Sequence, residues 1–286
     1  MAKVHIDFDR SANIKKRMKD NVESAALEWQ SRPEHHVRYG TPVLGYVSAD
    51  HPLFMTYFDH HVCSHPKEIW RPGNTVVLAA IPYSQETIDS NRGGDRPSQL
   101  WTDAFFDSMH LGMYLNRVIR DTLDEVGRIH SGTNSPTDWN EETHRPGWSH
   151  KLAAYAAGMG RFGIGGSFHT ENGFCGRVTS ILVDEHYAPF KEEDLEWQDN
   201  DHALQFAWLD SKYDRRPPNT IENEYGEKLD EISETFNVSR EAIASCPGKA
   251  ISSAGVNMEK CQAFCKTVNE YTPSPEVCGK CFFCDN

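Results

Sequence analysis

The sequence predicts an α+β protein: a mixed α/β body to about residue 190, an acidic connector, and a small ferredoxin-like tail that carries cysteines. Three observations predict it. Two apolar runs, NTVVLAAIPY at 74–83 and RVTSILVDE at 177–185, have the length and β-branched content of buried strands. Residues 99–127 place Trp101, Phe105, Met109, Met113, Leu115, Val118, Ile119 and Leu123 at helical spacing. Six of the eight cysteines fall at or after residue 246.

In chain order, residues 10–30 read as a polar amphipathic helix and TPVLGYVSA as a first short strand. The 74–83 strand opens after Pro72-Gly73 and closes at Pro82. Residues 84–98, SQETIDSNRGGDRPS, read as a polar loop, and the helix after it has Gly127 as its stop. A loop rich in Ser, Thr, Asn and Pro covers 131–147. The short helix SHKLAAYAAGM follows and runs into the glycine-rich GMGRFGIGG, and then comes the second strand. The stretch 190–234 is strongly acidic, is broken by RRPPN and resumes as the helix ENEYGEKLDEISETF. The expected division is therefore a body at 1–190, a connector at 191–240 and a tail at 241–286.

The totals narrow the function. No stretch approaches the ~20 apolar residues of a membrane-spanning helix, and the charged N-terminus lacks the apolar centre of a secretion signal. The expectation is a cytoplasmic protein with no membrane partner. Net charge is −13, from 42 acidic and 29 basic residues, so the bulk field repels phosphate and weighs against a nucleic-acid partner. No P-loop, nucleophile elbow or HExxH string occurs.

Clustered thiols in a chain without an export signal point to a metal site before disulfides. The tail reads SCPGKAISSAGVNMEKCQAFCKTVNEYTPSPEVCGKCFFCDN. Cys246-Pro is followed by Gly-Lys-Ala-Ile, where proline turns the chain away from a cluster and a small apolar stretch packs beneath it. Cys278-Gly-Lys-Cys281 lets neighbouring thiolates reach neighbouring irons. Structural zinc is the competitor, but zinc ribbons space two CxxC pairs well apart, and here the CxxC spacings overlap in one triplet. One 4Fe-4S cluster on Cys246, Cys261, Cys278 and Cys281 is the expectation. Cys284 in place of Cys261 is the main alternative set, and Cys265 is a further thiol in reach.

The segment WSHKLAAYAAGMGRFGIGGSFHTENGFCGRVTSILVDE resembles the core of the cobalamin-dependent iron–sulfur reductases, epoxyqueuosine reductase and the reductive dehalogenases. The matching positions are Ala157, Gly158, Met159, Gly160, Gly163, Gly173, Arg177 and Asp184, and HPKEIWRPGNTVVLAAIPY is similar to a segment upstream of them in that family. The resemblance covers roughly residues 40–190 plus the tail. It implies a nitroreductase-like cobalamin-binding α/β domain, with Ser149, Lys151, Gly158, Met159, Gly160, Phe162, Gly163 and Arg177 against the corrinoid. It also implies an external low-potential donor (a ferredoxin or a flavodoxin) and reductive cleavage of a C–halogen or C–O bond.

Two departures from the family matter. ENEYGEKLDEISETFNVSREAIA stands where an earlier cysteine triplet would hold a second cluster, so this resembles a short, single-cluster member. Glu142-Thr143-His144-Arg145 stands where an aspartate proton donor is expected, which makes His144 and His150 the candidate donors. The chain shows no helical repeat domain for tRNA after Asn286, so a small-molecule substrate is expected. The alternative readings are an electron carrier or corrinoid-reducing activator without its own substrate, a flavin enzyme and a zinc-stapled binding module. His60, His61, Cys63 and His65 have loose spacing for a metal site, and an isolated Cys175 suits a small buried niche.

Overall fold

A computed structural model describes residues 8–59, 64–133, 147–163, 166–188, 240–252, 255–271 and 275–282. The connector with its helix at 222–236, and His60, His61, Cys63, His144 and Cys284, lie outside those residues.

The apolar run at 74–83 becomes β2 (Thr75–Pro82), every residue of which is buried. Successive side chains of a strand point to opposite faces, so a strand with no polar alternation has both faces covered. Val76, Leu78 and Ala80 enter one core, and Val77, Ala79 and Ile81 the other. Strand β1 (Val43–Ser48) lies antiparallel on one side of β2, and β6 (Gly173–Val183) lies antiparallel on the other. The far edge of β6 takes β3 (His130–Gly132) at one end and β5 (Phe168–Thr170) at the other, and β4 (Gly160–Phe162) completes a hairpin with β5. All these pairings are antiparallel, which fits an α+β class.

On one face lie α1 (Phe8–Ser31) and α5 (Gln99–Glu125). Helix α1 buries Ile14, Met18, Val22, Ala25, Ala26 and Trp29, a stripe at three- and four-residue spacing. Ser98 caps α5 by accepting from the Trp101 N–H at 3.0 Å. The helix buries Trp101, Phe105, Leu111, Leu115, Ile119 and Leu123, but Met109 and Met113 are exposed, so its apolar face is narrower than the sequence pattern implied. The opposite face carries α2 (Pro52–Asp59), α3 (Pro66–Ile69) and the alanine-rich α6 (His150–Ala156). Residues 85–90, expected in a loop, form α4 (Gln85–Ser90), whose Ser84 cap accepts from the Thr87 N–H at 3.2 Å. His65 is a cap too: its Nδ1 accepts from the Lys67 N–H at 3.2 Å at the start of α3. Among the described residues no helix is long and apolar enough to cross a membrane.

The tail comprises α7 (Arg240–Ser245), a two-stranded antiparallel ribbon of β7 (Ile251–Ser252) and β8 (Gly255–Val256), α8 (Met258–Val268) and α9 (Pro275–Cys278). It is not a detached module, because Phe282 is fully buried in the same core as α1 and α5. Gly279 explains how the tail comes so close. Its φ is +60°, and a Cβ there would stand 2.1 Å from the Trp101 ring, so any other residue would push the tail off the body.

Candidate functional site

Five cysteines, Cys246, Cys261, Cys265, Cys278 and Cys281, line one cavity in the tail. The rest of its wall is largely apolar, with Ala250, Ile251, Val256 and Phe264. Each cysteine arrives by local design. Cys246 opens a tight turn in which the Lys249 N–H reaches the Cys246 carbonyl at 3.1 Å, with Lys249 itself at φ 49°. A non-glycine residue in the left-handed region stores strain, and such strain concentrates at functional turns. That turn aims the Ala250 N–H at the Cys246 sulfur, 3.2 Å away. Asn257 caps α8, accepting from the Lys260 N–H at 3.0 Å, so Cys261 and Cys265 come from the first turns of a well-started helix. Cys278 ends α9, and Cys281 follows the Gly279 turn.

The thiols influence one another. Burial and the neighbouring sulfurs of Cys261, Cys278 and Cys246 push Cys281 well up. Burial chiefly raises Cys278, to about 11. Cys265 is raised first by its hydrogen bond to Cys261 and then by burial. Soft sulfur donors in an apolar wall suit an iron–sulfur cluster or zinc, and not the hard cations. Among the described residues no three His, Cys, Asp or Glu side chains converge on the position of a single ion. A cubane gives each thiolate its own iron, so its ligands ring a cavity, and the residues present fit that group.

The body grips this cavity through side chains the sequence did not single out. The fully buried Asn91 donates from Nδ2 to the Cys278 carbonyl at 3.0 Å and accepts the Ser98 N–H at 3.0 Å. Lys280, between the two CxxC cysteines, is buried and donates to the carbonyls of Asn91 at 2.9 Å and Gly93 at 2.5 Å. Lys280 lines the cavity, and its ammonium, turned to those two carbonyls, lies within electrostatic reach of Cys278. Trp101 Nε1 donates to the Glu276 carbonyl at 3.0 Å. The Glu276 carboxylate forms an ion pair with Lys151 and stands 3.8 Å from Arg177 Nη1, which ties α9 to the residues nominated for cobalamin.

Those residues are brought together in part. Ser149 caps α6, accepting from the Leu152 N–H at 3.3 Å, and Lys151 also donates to the Gly166 carbonyl at 2.7 Å. Arg177 lies over the Phe105 ring with its Nε and Nη2 buried and without a hydrogen-bond partner. The glycine-rich turn is engaged within the chain. The N–H groups of Gly158, Met159 and Gly163 donate to Tyr155, Ala154 and Ser167, each at 2.9–3.0 Å. A Cβ on Gly160 would stand 2.0 Å from the His169 carbonyl oxygen, so this glycine serves the β4–β5 hairpin. Met159 and Phe162 pack in the core beside α6. Among the nominated cobalamin contacts, open donor capacity therefore sits on Arg177. Cys175 fills a buried niche, its thiol donating to the Arg177 carbonyl.

His150 Nδ1 stands 2.8 Å from Ser180 Oγ, which also accepts from Trp148 Nε1 at 3.1 Å. Burial, reinforced by Arg177, lowers its pKa to about 4, so the ring is neutral at pH 7. An unfolded chain takes up that proton near pH 6.5 and the folded chain only near 4, so stability falls as pH drops through this window. His169 shifts the same way. In urea unfolding, His150→Gln should cut the stability lost between pH 7 and 4.5 by about 2–3 kcal/mol. An unchanged pH slope would contradict the burial of this ring.

No family model matches the chain, and no curated protein matches it. Among solved structures the chain is similar to a crystal structure of selenomethionine-labelled epoxyqueuosine reductase, at 11% identity and a TM-score of 0.44. The likeness covers 95% of this chain and 65% of that one, so the chain spans just under two-thirds of its length.

Proposed function

We propose that the chain is a reductase that holds one 4Fe-4S cluster on Cys246, Cys261, Cys278 and Cys281 and a corrinoid beside Lys151 and Arg177. Its substrate would be a small molecule whose C–halogen or C–O bond is cleaved, and its electrons would come from a ferredoxin or flavodoxin. The observation that carries this is the ring of thiols in an apolar cavity, joined through Glu276 to Lys151 and Arg177. When bound, the cluster supplies single electrons and the corrinoid a strongly reducing metal.

The chain's own residues supply position and charge. The Ala250 N–H and the Lys280 ammonium favour negative charge at the cavity. Glu276, two residues before Cys278, holds the tail against Lys151 and so fixes the separation of the two sites. The unpartnered Arg177 N–H groups suit a ligand rich in acceptors, such as the amide side chains of a corrin. His150, held neutral, orients by hydrogen bonding, which leaves His144 as the proposed proton donor.

Protein purified without oxygen and incubated with cob(II)alamin tests the reading. The expected result is one corrinoid retained per chain on gel filtration, weakened about tenfold or more in Arg177→Met, as for loss of a charged hydrogen bond. Iron without retained corrinoid would turn the reading to an electron carrier.

A further inference from the structure

Among the described residues the cavity offers one thiol more than a cubane takes, since five cysteines line it and four irons each accept one. Cys261 and Cys265 stand one turn apart on α8, a spacing that puts both side chains on one helix face. Cys265 is fully buried, and its thiol lies within hydrogen-bond contact of the Cys261 sulfur. The outward thiolates of a cubane point away from one another, so two sulfurs in hydrogen-bond contact serve a single corner. Cys278 and Cys281 approach from α9 and its following turn, and Cys246 from the Cys-Pro turn, so neither α8 thiol duplicates any of them.

We infer that Cys261 and Cys265 are alternative ligands to one iron: one binds, and the other keeps its proton and donates an S–H···S hydrogen bond to the bound sulfur. The inference rests on the cluster reading above and deepens it. A hydrogen bond to a ligand sulfur stabilises the more negative, reduced cluster and so raises its potential. Cys261, in the first turn of α8, is the resident ligand, and the fully buried Cys265 is the thiol beside it.

The test uses the full chain, purified without oxygen, as Cys261→Ala, Cys265→Ala, the double variant and Cys246→Ala, with circular dichroism to confirm folding. Iron, acid-labile sulfide and the midpoint potential are measured in each. The expected result is parental iron in both single variants and loss of at least one iron in the double variant. Cys246→Ala, with no second thiol on its own turn among the described residues, should lose iron on its own. Cys265→Ala should also shift the oxidised-to-reduced ratio at fixed potential about tenfold toward oxidised, equal to ~59 mV for one electron. If Cys261→Ala or Cys265→Ala alone loses as much iron as the double variant, the exchange is wrong. If the double variant keeps its iron, Cys284 fills the fourth corner and the pair has no role. A parent chain without iron overturns the cluster reading itself, which the variants alone would not do.

Discussion

Cys278→Ser should bind less than one iron per chain where the parent binds about four, with loss of the visible absorption of an iron–sulfur cluster. Cys278 is a wall residue of the cavity, ends α9, and has its carbonyl fixed by Asn91, which holds its thiol in that one place. Burial holds its own thiol protonated at neutral pH, with a pKa of about 11, so ligation must release that proton. Metal uptake should accordingly weaken as pH falls, in the parent as well. The body should survive the substitution, because its two cores are built from the sheet, α1, α5 and α6. Iron content measured against far-ultraviolet circular dichroism checks both statements, and parental iron in a folded Cys278→Ser chain would refute the ligand assignment.

The second large effect is expected at Trp101. The residue is 1% exposed and packs against Tyr83 at 5.1 Å and Phe174 at 5.5 Å between ring centroids. It meets Phe282 and Gly279 of the tail as well. Truncation of a buried tryptophan costs about 3–5 kcal/mol, and here the Glu276 carbonyl also loses its donor. Trp101→Ala should lower the stability of the body by that amount and release the tail, with faster loss of iron. Trp101→Phe, which keeps a ring and removes only the indole N–H, should cost about 1–2 kcal/mol. Urea unfolding followed by circular dichroism, together with the iron-release rate, measures both. A Trp101→Ala penalty below about 1 kcal/mol would mean that the tail does not dock through this ring.

The long elements were legible because periodicity and burial coincide in them. The helix expected at 10–30 is Phe8–Ser31, that at 99–127 is Gln99–Glu125, and the strand expected at 74–83 is Thr75–Pro82. Short pieces were not. The β4–β5 hairpin has three-residue strands amid glycines, and that composition reads as a turn. Helix α4 is polar apart from Ile88, and its one signal was the Ser84 cap. Cys278 and Cys281 could be picked out by their CxxC spacing and Cys246 by its Cys-Pro string, and the structure gathers them with Cys261 and Cys265 around one cavity. The body side of the site, Asn91 and Trp101, meets the tail across more than 170 positions of sequence, as with Trp101 and Glu276 at 175, and no local pattern encodes such a contact. Lys280 was missed as well, although a lysine enclosed by two candidate ligand cysteines carried a local signal.

The glycine-rich turn gives the opposite lesson. The resemblance implied that it lies against a corrinoid, yet Gly158, Met159 and Gly163 direct their N–H groups to carbonyls of their own chain. The donor capacity lies one strand away on Arg177, whose guanidinium carries two buried nitrogens without hydrogen-bond partners.

The central claim is that the thiols of the tail hold a cubane, and the most direct measurement is metal and sulfide analysis of the full chain purified without oxygen, with electron paramagnetic resonance after reduction. About four irons and four sulfides per chain, diamagnetic as isolated and paramagnetic after uptake of one electron, is the result expected. Zinc alone, or a colourless chain without metal, would contradict it.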